Sequence, residues 1–349
     1  MAKACVCTRK QLGKARLRTR VLGQRRRCVP SGGLSRPETD DRAGHRRLAW
    51  SCRRIDRAAS TGMAMNSSDL DVTIAAERRI ARQFIGRFQW EMVLIGLGQF
   101  TLWLAVFVAG IQGALPLWAG FPIALVCCCF AYLPSHEAQH GNIAGKNERL
   151  KWLNELVGHV SLSNLCYPYR FAQATHMRHH AFTNDPDRDT DYHYSGPHLW
   201  HAARGVHRDP PPEILELHMN EDPVFAQDLA ASLPVKKLFS LLMLICAVAW
   251  PLPTFFLWWL PSRIALSYTT VFFAWIPHHP ADQQERYQLA RFWRLPMVPR
   301  FAVQSMTHHA IHHLYPRIPH WSQPQALKAL RPFIEAHEMR GAEILQDYR

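Results

Sequence analysis

The sequence lacks the markers of several large enzyme classes. Its nine cysteines form no CxxC pair and no disulfide-like framework. Four of them, Cys5, Cys7, Cys28 and Cys52, lie in a basic leader, and Cys127, Cys128 and Cys129 sit inside an apolar run, where cysteine behaves as a small hydrophobe. No glycine fingerprint for a dinucleotide and no cysteine set for an iron–sulfur cluster occurs, so no electron carrier is fused to the chain. Net charge is also missing once the leader is set aside. Residues 1–62 hold 17 Lys and Arg against four acidic residues (Glu38, Asp40, Asp41, Asp56), and the remaining residues hold 24 against 23. The overall charge of +14 therefore says nothing about nucleic acid, and no basic, aromatic-interleaved surface stands elsewhere to bind it.

For residues 1–62 three readings stand: an Arg-rich transit peptide, a disordered basic arm, or translation from upstream of the true start. Met63 and Met65 precede SSDLDVT, an ordinary polar beginning. On the last reading residues 63–349 are the working domain, and deleting 1–62 leaves activity intact.

Long apolar runs are what the remainder does have. Stretches 92–112 and 114–134 are nearly uncharged, each close to the ~20 residues a helix needs to cross a bilayer. Gly113 and Pro116 mark a tight turn between them. A second pair, 238–260 and 264–277, is separated by Pro261, Ser262 and Arg263, and its last member is short. Because lipid cannot satisfy exposed backbone groups, the expected fold is all-α: about four transmembrane helices in two hairpins, with a helical cap from 135–237 and 278–349. Basic residues cluster before the first run (Arg78, Arg79, Arg82, Arg87), before the third (Lys236, Lys237) and after the fourth (Arg286, Arg291, Arg294), while the opposite loops offer only Arg263. The positive-inside rule then places both termini and 135–237 in the cytoplasm, with Trp258 and Trp259 at the far interface.

The 20 histidines concentrate beside the expected membrane ends. His136 and His140 form HEAQH after the second run; His176, His179 and His180 form HMRHH; His309, His312 and His313 form HAIHH after the fourth. Spacings of three and four residues put each group on one helix face. Neutral imidazole binds iron, zinc or copper, and ligand type alone leaves the metal open. Eight histidines are too many for one tetrahedral zinc and enough for two metals. The three groups meet only if an even number of crossings separates the second from the third, and two crossings satisfy that.

HEAQHGN, HMRHHAFTNDPDRDTD and THHAIHHLYPRIP together resemble the three histidine boxes of the membrane fatty acid desaturase and hydroxylase superfamily, across roughly residues 77–335. The resemblance implies a di-iron centre of two Fe²⁺ held by the eight box histidines, O₂ as co-substrate, a lipid or acyl substrate and a separate ferredoxin, rubredoxin or cytochrome as electron donor. It also implies one further histidine near the end of the fourth span, for which His279 in WIPHHP is preferred over His278. The run FFAWIPHHPADQQERY followed by HHLYPRIP is similar to the branch of bacterial carotenoid hydroxylases. Fatty acyl desaturation is thus the first expectation and carotenoid or lipid hydroxylation or ketolation the second. Trp152, Tyr167, Tyr169 and Phe171 are candidates to shape the substrate's way in.

HEAQH also fits HExxH, in which two histidines hold zinc and Glu137 is the general base of a metalloprotease. That reading leaves six histidines without a task. The alternating Asp185, Asp187, Asp189 and Asp191 lack the glycine and glutamate of a calcium loop, since Thr190 and Gly196 stand at those positions. They read either as a solvated loop or as acceptors that orient neighbouring imidazoles. His159, His193, His198, His201, His207 and His218 read as surface or hydrogen-bonded residues, and His308 and His320 flank the third box outside its spacing.

Overall fold

A computed structural model describes residues 67–304 and 306–347; the leader 1–62 lies outside them. Helices and irregular connections make up all of the described residues, with no strand among them. Helix α1 covers Ser67–Ala81, α2 Trp90–Ile111, α3 Leu117–Cys129 and α4 Tyr132–Gln139. Helix α5 covers Trp152–Ser163, α6 Tyr169–Phe182, α7 Leu199–Gly205, α8 Pro212–Glu221 and α9 Pro223–Ala249. A tenth helical run, α10, extends over 251–278, and α11 (His309–Leu314) and α12 (Gln323–Ala336) follow.

Among the described residues three stretches are long and apolar enough to cross a membrane: Trp90–Ile111, Leu117–Gln139 and Pro223–Ala249. A tight turn joins the first two, with Gly113 at φ +70° taking the left-handed conformation that a Cβ disfavours. The third is nearly unburied along its apolar window: Leu241, Leu244, Ile245 and Val248 are 53, 61, 51 and 78% exposed. A face of this kind suits lipid rather than water.

The second hairpin differs from expectation in where it turns. The chain breaks at Trp250 (φ −140°, ψ 68°) and not at 261–263. Pro251 forces this, because the residue before a proline is pushed out of the helical region, while Pro251 and Pro253 sit in a first turn whose N–H groups have no helical partner anyway. The run 251–278 then stays helical straight through Pro261, with π turns at Phe255–Trp259 and Thr270–Trp275. Pro261 cannot donate to the carbonyl four residues back, that of Leu257, and the indole Nε1 of Trp103 donates to it instead at 2.9 Å. Arg263 accordingly lies within a helix, not in a loop. Trp258, expected at the far interface, is buried; its Nε1 donates to the Asn164 carbonyl at 3.0 Å and its ring meets Trp103 edge-on at 5.3 Å.

Trp103, Phe107 and Trp258 anchor the main core, where α2 and α3 pack against α10 and α5 packs against α2 and α4. A Cβ on Gly110 would overlap Leu257, so this crossing needs glycine. Two amides inside the core are linked: Gln99 Nε2 donates to the Ser161 carbonyl at 3.0 Å, and Asn164 Nδ2 to Gln99 Oε1 at 2.8 Å. A second core joins α11 and α12, with Ile311, Leu330 and Ile334 fully buried. The buried Glu77 of α1 ties it down, accepting from the hydroxyls of Tyr287 at 2.7 Å and Tyr315 at 2.6 Å.

Candidate metal centre

Each histidine box reaches the interior from a different helix. His136 rides on α4 and His140 caps its end; His176, His179 and His180 share one face of α6; His309, His312 and His313 share α11. All eight converge, so three boxes separated by up to 177 residues meet in one place. One ligand atom from each of His136, His140, His176, His180 and His312 lies within 4.8 Å of all the others, and so do those of His179, His278 and His313. His309 joins the second group through its Nε2, 3.1 Å from that of His313.

The ring that faces the cluster is that of His278, not of the preferred His279. His278 ends α10 facing His179 and His313, with ring centroids 4.8 and 4.5 Å away. His279 leaves the helix (φ −60°, ψ 133°) and stacks on Trp275 at 4.4 Å, turned from the cluster. His279 lies just past the helix end, where the extended backbone carries its ring away from His179 and His313.

The donor set fits metal ions. The Nε2 atoms of His140 and His176, His176 and His180, and His180 and His312 are 3.0, 3.2 and 2.9 Å apart. Nitrogens bound about 2.1 Å from a shared metal and at right angles to one another are spaced by about 3 Å. Both ring nitrogens of His136, 1% exposed, lack any hydrogen-bond partner, a costly state for buried polar atoms unless an ion takes one of them. Burial, reinforced by neighbouring imidazoles, holds His176, His180, His309, His312 and His313 well below the ordinary imidazole pKa. They are therefore neutral, with a lone pair to give.

Outer partners fix which nitrogen faces inward. Asp189 takes His179 Nδ1 at 2.9 and 3.1 Å, and is itself held by the backbone N–H groups of Asn184 and Asp191 at 2.8 Å each. Burial pulls the His179 imidazole down, but the charge and hydrogen bond of Asp189 outweigh it and set its pKa at about 9. The Leu289 carbonyl accepts from His278 Nδ1 at 2.9 Å. In both rings Nε2 is left to point at the cluster, the arrangement by which metal sites orient imidazoles. Of the alternating aspartates, Asp189 is thus an orienting acceptor, which residue type alone left undecided against a solvated loop.

Glu137 does not serve as the base of an HExxH site here. Its Oε2 accepts from Asn142 Nδ2 at 3.3 Å and from the His320 N–H at 3.2 Å, so the carboxylate braces the first box against the segment after the third. His193 and His218 hydrogen-bond to the carbonyls of Thr190 and Arg188, as expected for histidines outside the boxes.

An inner cavity of about 50 Å³ lies against His136, His176, His179 and His309, lined otherwise by Tyr132, Tyr167, Thr269 and Phe273 among others. An outer cavity of about 540 Å³ opens between α6, α8, α9 and α10. Tyr167 and Phe171 line it, whereas Tyr169 packs into the core and Trp152 is exposed on the surface.

Among the described residues, membrane-length apolar helices and a buried polyhistidine cluster point to a membrane protein with a metal site. A family model described as fatty acid desaturase matches residues 112–341, and the chain belongs to that family. It is 28% identical over 114 residues to an sn-1 oleoyl-lipid 12-desaturase of Anabaena variabilis, covering 32% of this chain and 28% of that protein. To a zeaxanthin 4-ketolase of Chlamydomonas reinhardtii it is 24% identical over 262 residues, 68% of this chain and 54% of the relative. An sn-1 oleoyl-lipid 12-desaturase of a Synechocystis strain is 34% identical over 105 residues, 29 and 27% of the two chains. The matches thus span between about a quarter and just over half of these relatives.

Proposed function

We propose that the protein is an O₂-dependent di-iron oxidoreductase acting on a lipid hydrocarbon chain, first of all as a fatty acyl desaturase. The observation that carries this is the division of the buried histidines into two adjacent groups, each dense enough in inward Nε2 atoms for one metal. His136, His140, His176, His180 and His312 would hold one iron, and His179, His278, His309 and His313 the other. Once bound, a ferrous pair supplies the electrons and Lewis acidity with which O₂ attacks an unactivated C–H bond.

The chain's own residues position and exclude. Asp189 and the Leu289 carbonyl hold His179 and His278 in the required tautomer. The inner cavity offers a space beside His136 and His176 for a hydrocarbon segment, walled by Phe273 and Leu266. Electrons come from a separate carrier of ferredoxin, rubredoxin or cytochrome type, drawn to basic residues on the cytoplasmic face where the boxes lie.

A second reading, hydroxylation or ketolation of a carotenoid or other lipid, is favoured by one feature: the inner cavity carries tyrosine side chains from Tyr132, Tyr167 and Tyr194 as well as Thr269, whose buried hydroxyl has no partner. Such a wall suits a substrate or product that bears oxygen near the reacting carbon. Expression in a lipid-producing host and in a carotene-producing host, followed by mass analysis of the extracts, separates the two. A loss of two mass units in fatty acyl chains supports desaturation. A gain of sixteen or fourteen units in lipid or pigment supports the second reading, and no change in any lipid contradicts both.

A further inference from the structure

Resting on the reading that the inner cavity holds the reacting hydrocarbon, we propose that the outer cavity is a binding site for the carboxylate of a single-chain amphiphile, gripped by Arg263. Its chain would then pass Tyr167, Val206 and Leu266 toward the histidines. Those three residues line both cavities, which therefore adjoin at a shared wall.

Charge decides what the outer end takes. Its polar wall carries Arg208, Lys236 and Arg263 against one acid, Asp209. Asp209 is already engaged by Lys236 Nζ at 2.6 and 2.9 Å. Among the described residues Arg263 has no acidic partner; its only acceptors are the Ser262 hydroxyl at 3.5 Å and the Leu165 carbonyl at 3.3 Å. A guanidinium has five donors in a planar fork, so most of this one's capacity is unspent. It is held half-buried inside a helix with no other Lys, Arg, Asp or Glu, where a cation without an anion is expensive and marks a functional position.

Shape and reach point the same way. The fork matches two coplanar oxygens, the geometry of a carboxylate. Apolar side chains such as Leu229, Leu233 and Phe171 make up most of the remaining wall, suited to methylenes. Arg263 lies ten residues along α10 from Phe273, whose ring is 6.2 Å from that of His136, a span of about 15 Å at helical rise. The head therefore sits far enough from the metals to bring the middle of a long chain, not its first carbons, beneath them.

The test is equilibrium binding of radiolabelled oleate and of oleyl alcohol to the full-length protein in phosphatidylcholine nanodiscs at low salt. The expected result is oleate binding at least about tenfold tighter than the alcohol, the scale of one charge-assisted pair. Arg263→Gln should abolish the preference by weakening oleate alone, and Arg263→Lys should keep part of it. Equal binding of the two probes, a preference that survives Arg263→Gln, or displacement of oleate by equimolar phosphatidylglycerol would each overturn the proposal. If Arg263→Gln does not yield a folded protein, the wild-type ratio and Arg263→Lys still decide. Iron content, measured separately, tests the underlying reading: a protein without iron that still prefers oleate would sink that reading and keep this site.

Discussion

Replacing His278 by alanine is expected to cost the protein metal, whereas His279→Ala should leave it loaded, because only the first ring faces His179 and His313. Metal analysis of the two purified variants gives the answer, with loss from His279→Ala the opposing result. Asp189→Asn is a subtler case. The amide keeps the shape but can no longer hold the Nδ1 proton of His179 as a charged acceptor, so metal affinity should fall by about 10–100-fold, the usual cost of losing such a partner. Competition with a chelator measures this; unchanged retention would show that Asp189 does not act through His179. Box histidines are legible from sequence because spacings of three and four residues fix a shared face whatever the surroundings. Asp189 and the choice between His278 and His279 are not, since both depend on the direction in which α10 and the 183–191 loop leave their helices.

At the scale of elements, the position of the turn before α10 is the feature most open to test. A maleimide that cannot cross the membrane should label Trp250→Cys in intact vesicles of the right orientation and leave Ser262→Cys unlabelled, since residue 262 is buried within a continuous helix. The opposite pattern would restore the turn at 261–263. Proline content misled here for a physical reason. A proline breaks a helix when its missing hydrogen bond goes unreplaced, and nothing local announces that Trp103, 154 residues away, supplies the replacement at Leu257. The first pair of runs carries no such long-range correction; its expected limits differ from the observed helices at their ends and in the break at residues 130–131 between α3 and α4. The same contrast separates Trp259, exposed as a membrane anchor would be, from Trp258, buried by its partners in α2.

For the whole molecule, the cluster of neutral imidazoles makes the metal-free protein acid-sensitive. Burial, aided by the positive charge of Arg317, holds His140 down at about 3, and burial does the same to His320; the five box histidines described above shift in the same direction. In the unfolded chain each returns to near 6.5. Between pH 6.5 and 3 the unfolded state therefore binds protons that the folded state refuses, so stability falls as pH drops through that window. Asp191, raised by burial to about 6, works the other way but is outnumbered by these imidazoles. Thermal unfolding of chelator-treated protein should show a midpoint that declines steadily from pH 6.5 to 5, with bound metal suppressing the decline. A flat profile would mean that the histidines are already solvated and charged.

The architecture and the site bear on one count, the number of iron ions in each chain. Protein purified in mild detergent from iron-supplemented cells should contain close to two irons per polypeptide, falling when either His312 or His179, one from each group, is replaced by alanine while the chain remains in the membrane fraction. One iron per chain, stoichiometric zinc in its place, or full occupancy after both substitutions would contradict the paired-metal account.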